Sequence, residues 1–393
     1  MRRREFLRVS ALSVLGAFCA RPSARASGRT VTLALCGDLM TGRGVDQVLP
    51  HPSDPTLHEA YLHSALQYVE LAERANGPIE KPVAFRYPWG DARAELERAR
   101  PDAWIANLET SVTTSDERAQ KGIHYRMHPK NVACLTAAGI YCCVLANNHV
   151  LDWGRAGLRE TLATLHAAGL ETAGAGRNAA EARAPAVLPI GKGAGGRILV
   201  FAFGSVSSGI PRAWAAGEGR PGVALLEDAS VAEIAARVRR VKRPGDVVVA
   251  SIHWGGNWGY AIRRDRGELA RALIDEAGVD LVHGHSSHHP KGIEVHRGRP
   301  ILHGCGDFLN DYEGIGGHEE YRSELVLLYL VSVDPVTGAL VRLEMAPFRI
   351  ARMRLQRASG EELGWLRDRL DRECAKLGTR VEATGEGRLV LRW

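Results

Sequence analysis

Val31-Thr32-Leu33-Ala34-Leu35-Cys36-Gly37-Asp38-Leu39-Met40 is an apolar run stopped by a glycine and an acid. Such a run reads as a buried strand that hands its last residue to a loop. The same grammar recurs downstream. Asp102 to Ala106 runs into Asn107-Leu108-Glu109, and Ile140 to Ala146 runs into Asn147-Asn148-His149. Asp246 to Ile252 leads to His253-Trp254-Gly255, Val279 to Val282 leads to His283-Gly284-His285, and Pro300 to Cys305 leads to Gly306-Asp307. Helical periodicity fills the intervals: Thr56 to Ala75, stopped by Asn76-Gly77-Pro78, then Ala92 to Arg98, Arg155 to Ala168, Val231 to Val241 and Arg266 to Ala277. Strand, polar tip, helix, strand is the signature of an α/β fold. In such sheets ligands bind outside the carboxyl ends of the strands.

Beyond Glu319 the pattern changes. Tyr321 to Val333 and Leu340 to Met345 read as a hairpin around Pro335-Val336-Thr337-Gly338. A helix from Gly360 to Leu377 and a short tail strand follow. The Gly/Lys-rich stretch Gly191 to Gly196 sits between two strands and lacks the spacing of a phosphate loop, so it reads as a hairpin turn.

The polar tips carry Asp38, Asn107, Glu109, Asn148, His149, Asp152, His253, His285, His288, His289 and Asp307. A lone acid after a strand is commonly a helix cap. Carboxylates, imidazoles and carboxamides repeated at six tips are not explained by capping. Brought to one edge, they form a mixed nitrogen and oxygen donor set. That set suits Zn, Mn or Fe, with Mg or Ca as harder alternatives, and does not suit a thiolate centre.

These tips resemble a known series. Gly37-Asp38-Leu39-Met40-Thr41-Gly42-Arg43-Gly44, Asn107-Leu108-Glu109-Thr110, Ala146-Asn147-Asn148-His149-Val150-Leu151-Asp152-Trp153-Gly154, His253-Trp254-Gly255 and Gly284-His285-Ser286-Ser287-His288-His289-Pro290 follow the order of motifs in CapA/PgsA-type poly-γ-glutamate capsule synthesis proteins, and Gly306-Asp307-Phe308 extends the match. That family resembles a divergent branch of the calcineurin-like metallophosphoesterases. The resemblance implies a four-layer αββα sandwich. Carried over residue by residue, it implies Asp38 as the first ligand, Glu109 as the bridging carboxylate, and Asn148, His253, His285 and His288 as further metal ligands. It also implies His149 as the general acid, beside Asp152. Met40 stands where the parent series places a ligand histidine, and a thioether is a poor ligand for a hard divalent ion. One site therefore lacks a ligand, and either a single ion or one tight and one weak ion is expected. Arg43 and Arg126 are candidates for holding a carboxylate or phosphate, with a salt bridge as the plain alternative. Trp254 and Trp258 either wall a groove or pack in the interior.

The amino terminus adds a location. Arg3-Arg4-Glu5-Phe6-Leu7-Arg8, an apolar stretch from Val9 to Ala20 and Ala24-Arg25-Ala26 make a twin-arginine signal peptide over residues 1–26. The protein is thus expected to be periplasmic or otherwise extracytoplasmic. The formal charge is +6, but removing the leader leaves 45 basic and 44 acidic residues. The basic character belongs to the leader, so nucleic-acid binding is not implied. Six cysteines remain after cleavage and no C-x-x-C pair is present, so buried thiols are expected, with a pair involving Cys134 or Cys374 left open. The expected layout is the leader, a CapA-type domain over 31–333, and residues 334–393 packed on the same domain.

Four functions are compatible with these residues: a capsule or poly-γ-glutamate biosynthesis protein, a metal-dependent hydrolase of a phosphoester or amide, a metal-assisted peptide epimerase, and a non-catalytic binding module. An anionic polymer or peptide substrate, capsule-synthesis membrane proteins and peripheral membrane association are the partners such readings imply.

Overall fold

A computed structural model describes residues 30–191 and 196–393. The expected twin-arginine leader and most of the Gly/Lys-rich stretch lie outside the described residues. The strands on either side of that stretch, Ala186–Pro189 and Arg197–Gly204, pair antiparallel.

Two sheets face each other. The first runs in the order Arg380–Ala383, Leu389–Arg392, Leu340–Ile350, Leu325–Val333, Val31–Leu39, Ala103–Leu108, Cys142–Val144, Glu171–Ala173. The second runs Ile293–His296, Arg299–Leu302, Leu281–His285, Val247–His253, Arg197–Gly204, Ala186–Pro189. Period-2 alternation decides which face each residue serves. Val31, Leu33 and Leu35 join Ile198, Val200, Val247, Val249 and Leu281 in the core between the sheets. Ala34 and Cys36 point the other way, into a core with Val69, Leu158 and Leu162 from helices outside the first sheet. Leu199, Phe201 and Val248 meet Ile234 and Leu273 of the helices outside the second. The result is a four-layer αββα sandwich. Residues 334–393 extend the first sheet, because Leu389–Arg392 pairs with Leu340–Ile350.

The helices follow the periodic segments, with one marked difference. The first expected helix begins at Ala65 rather than Thr56. Ser64 caps it, accepting from the backbone while Gln67 reaches back to the cap. This capping box fixes the start, and the residues before it run as irregular chain. Glu319–Tyr321 is a short 3₁₀ turn, so the hairpin strand begins at Leu325 instead of Tyr321. All six described cysteines are buried and unpaired, Cys134 and Cys374 included. Among the described residues no helix is long and apolar enough to cross a membrane.

Candidate metal centre

The parallel strands bring the tips to one edge. Asp38 and Asn107 lie opposite each other across neighbouring strands of the first sheet, and His253 faces His285 in the second. The strand Asp307–Leu309 adds a parallel partner for Asp38. That pairing depends on Gly37: a Cβ there would lie 1.6 Å from the Gly306 carbonyl oxygen. Only glycine permits so close an approach, and the contact is secured by the Asp38 amide donating to Gly306 O at 3.0 Å.

Asp38 is the hub. With His253 and His285 it forms one group of ligand atoms within 4.8 Å of one another, and with His288 and Asp307 a second such group. All five side chains are buried. Around the first group, Asn148 Oδ1 lies 2.9 Å from His253 Nε2, and Glu109 Oε1 lies 3.9 Å from the same nitrogen. The Nδ1 atoms of His253 and His285 stand 2.9 Å apart.

Supporting hydrogen bonds set these orientations. Ser251 Oγ lies 3.0 Å from both His285 Nε2 and His283 Nδ1, and His283 Nε2 reaches Cys36 O at 2.9 Å. His285 is therefore left with Nδ1 facing Asp38. Asn107 donates to Asp38 Oδ1 at 2.7 Å, and Asn147 donates to Asn107 Oδ1 at 3.0 Å. Ser286 adopts φ 94, a conformation L-residues rarely enter, and its amide donates to Asp38 Oδ2 at 3.2 Å. Asp307 contacts His288 Nδ1 at 2.9 Å and accepts from Asn310 at 2.7 Å.

His149 stands across the first group. Its Nδ1 meets Asp152 Oδ2 at 2.7 Å, and its Nε2 lies 3.9 Å from Glu109. Lys121, which carries no signal in the sequence, donates to Asp152 at 2.7 Å and to the Asn148 carbonyl.

The electrostatics suit a cation. Burial, then the neighbouring Asp307, raises Asp38 to about 7. Burial and Asp38 push Glu109 well above the carboxylate range. Burial holds His253 and His285 well below 6.5 and lowers His149 to about 4. Burial alone would raise Asp152, but His149 and Lys121 hold it low. Neutral imidazoles beside crowded carboxylates are the donor set a borderline or hard divalent ion takes. The residues fit such an ion.

Four sequence expectations are affected. Glu109 is not the carboxylate common to both groups; Asp38 is, because its strand lies between Ala103–Leu108 and Asp307–Leu309. Asp307, and not Met40, lies with Asp38 and His288 in the second group, while the Met40 sulfur accepts from Tyr312 Oη at 3.4 Å. Arg43 is not free for substrate. Its guanidinium is divided between Asp311, at 2.9 and 2.5 Å, and Glu59 and Tyr68, at 2.9 and 2.8 Å. Arg126 likewise stacks on Trp153 and bonds Ser115 O and Asp116. A cavity of about 350 Å³ opens beside His288. Trp258 walls it, stacked on His318 with ring centroids 4.0 Å apart. Trp254 is buried, its indole donating to His303 O.

Fold and site together define an αββα sandwich with a buried carboxylate and imidazole cluster at its strand tips. Residues 32–312 match the family described as "Bacterial capsule synthesis protein PGA_cap", and the chain belongs to that family. A probable polyglutamine synthesis accessory protein of Mycobacterium tuberculosis is 51% identical over 356 residues, covering 89% of this chain and 93% of the relative. The PGA biosynthesis protein CapA of Bacillus subtilis is 27% identical over 289 residues, covering 72% of this chain and 64% of the relative. A solved phosphatase of Mycoplasma pneumoniae superposes with a TM-score of 0.45 at 10% identity, covering 86% of this chain and 97% of that one.

Proposed function

We propose that this chain is an exported accessory protein of polyglutamate capsule synthesis whose buried centre holds divalent cations and hydrolyses an amide or phosphoester bond. The capsule role follows the names of its relatives, and export follows the twin-arginine pattern Arg3-Arg4. The observation that carries the chemistry is the sharing of Asp38 between the His253–His285 and His288–Asp307 groups, with His149 facing them. Asp38, His253 and His285, with Asn148 and Glu109, would hold one ion; Asp38, His288 and Asp307 would hold another. Bound there, a divalent ion supplies Lewis acidity and an acidified water. The chain's own groups do the rest. Asp152 orients His149 through Nδ1 and leaves Nε2 to accept a proton from water and return it to the leaving group. Ser251 and Asn107 keep the ligands in place.

The test is elemental analysis of the wild type, His253→Ala with His285→Ala, Asp307→Asn and His149→Ala, alongside a panel of γ-glutamyl amides and phosphodiesters. The double histidine variant should lose metal and turnover. Asp307→Asn should lose part of the metal. His149→Ala should lose turnover and keep metal. Wild-type stoichiometry in the double histidine variant would place the ligands elsewhere.

A further inference from the structure

The cavity beside the metal centre is poorly matched to a polyanion. Arg43 lines it but is neutralised by Asp311 and Glu59, and Glu319 and Glu324 line it as well. A second cavity of about 660 Å³ has the opposite character. Arg86, Arg93, Arg352 and Arg354 line it, against one acid, Glu80. Arg93 reaches Glu97 at 3.4 Å. Among the described residues Arg86, Arg352 and Arg354 have no ion-pair partner, and no residue lining this cavity belongs to either metal group.

The chain is shaped to present these cations. Arg352 and Met353 both adopt positive φ, at 60° and 52°. Non-glycine residues hold that conformation only when their surroundings enforce it. Here Glu313 accepts from both amides, at 2.6 and 2.5 Å, and the Arg352 carbonyl takes the Tyr87 hydroxyl at 3.0 Å. Both Glu313 oxygens are thus occupied by backbone beneath the loop. The Nε of Arg354 is buried and has no hydrogen-bond partner among the described residues. It lies beside Gly90, another lining residue, where a Cβ would come within 3.0 Å of it. A buried guanidinium donor without an acceptor calls for an explanation, and an anion drawn into the cavity supplies one.

We propose that Arg86, Arg352 and Arg354 form a docking site for a run of carboxylates on an extended anionic polymer. Guanidinium groups bind carboxylates bidentately, and clustered arginines are the usual device for acidic chains. The cavity falls within the size range of ligand sites. The choice of a γ-glutamyl chain as that polymer rests on the capsule function proposed above. The site would hold the strand away from the chemistry, while the less basic cavity at the metal centre receives only the segment being processed.

A labelled γ-linked oligoglutamate, followed by fluorescence anisotropy, tests this. The proteins are the wild type, Arg86→Gln with Arg352→Gln, the triple variant adding Arg354→Gln, and His253→Ala with His285→Ala. The double arginine variant changes only exposed residues, which guards against misfolding in the triple one; circular dichroism checks both. The arginine variants should bind about tenfold or more weakly, the histidine variant should bind as the wild type does, and rising salt should weaken wild-type binding. Equal affinity in the arginine variants would overturn the site, as would loss of binding in the histidine variant. Arginine-dependent binding of α-linked but not γ-linked polyglutamate would uphold the site while removing the capsule reading. Arginine-dependent binding of phosphatidylglycerol vesicles with no binding of either polymer would overturn the proposal in favour of a membrane surface.

Discussion

Arg43 shows how far residue type alone can mislead. A Gly-flanked arginine just after the first motif has the form of an anion clamp. Its surroundings decide otherwise, since the side chain is about 1% exposed and held between Asp311 and Glu59. It also lies over the Tyr68 ring at 3.6 Å and the Tyr125 ring at 4.5 Å. Tyr125 in turn sits edge-on to His149 at 4.6 Å. Removing one member of a buried ionic cluster leaves its partners charged in a poor dielectric. Arg43→Met should therefore cost about 3–5 kcal/mol in urea unfolding, whereas Arg126→Met, paired with an Asp116 that is 94% exposed, should cost under about 1 kcal/mol. A loss at Arg43 no larger than at Arg126 would contradict the burial argument. The acids and imidazoles of the centre were legible because each sits at a strand end. That Asp38 is shared was not, because it depends on the register that sets Asp38 against Asp307 across the Gly37–Gly306 crossing. Lys121 lies in a loop of polar residues and nothing in its neighbourhood marks it.

At the scale of elements, period and punctuation were readable and tertiary partners were not. The helix Val231–Val241 is where its apolar spacing puts it, opened by the Ser230 and Glu233 capping box. The helix Ala65–Asn76 starts nine residues later than the periodicity from Thr56 suggests, because local apolar spacing does not reveal which serine caps. The edge strand Ile293–His296 offers a test of pairing between elements. Burial would raise Glu294, but hydrogen bonds from His303 and Arg271 lower it from 4.5 to about 2. Arg271 lies on the helix Arg264–Asp275, with its Nε at 2.6 Å, so the pair ties that helix to the strand. A depressed carboxylate gives stability that is full above its unfolded pKa and disappears as pH falls through the folded value. Glu294→Gln should thus be less stable than the wild type at pH 7, and the gap should narrow between pH 4.5 and pH 2. Urea midpoints at pH 7, 4 and 3 measure it. A gap that is constant with pH would show that the glutamate acts by packing alone.

The whole molecule joins two sheets whose parallel strands deliver their carboxyl ends to one edge, and the candidate metal centre lies across that join. Asp38 and Asn107 come from the first sheet, His253 and His285 from the second, and the Nδ1 of His285 lies 3.7 Å from Asp38 Oδ1. The core buries Asp38 and Glu109 beside one another and beside Asp307, and burial together with the neighbouring carboxylates disfavours ionisation of Asp38 and Glu109. A divalent ion would relieve that repulsion and link the sheets in one step. Because the unfolded chain cannot assemble ligands from residues 38, 253 and 285, binding would stabilise only the folded state. At a free concentration a thousand times the dissociation constant this amounts to about 4 kcal/mol. Exhaustive chelation should therefore lower the melting temperature, and adding back Mn or Zn should restore it in a concentration-dependent way. The double variant His253→Ala with His285→Ala should already melt low and respond less to either treatment. A wild-type melting temperature indifferent to chelation, with metal removal verified by elemental analysis, would mean that the sandwich holds its sheets together by the inter-sheet core of Leu33, Leu35, Val200 and Val249 alone.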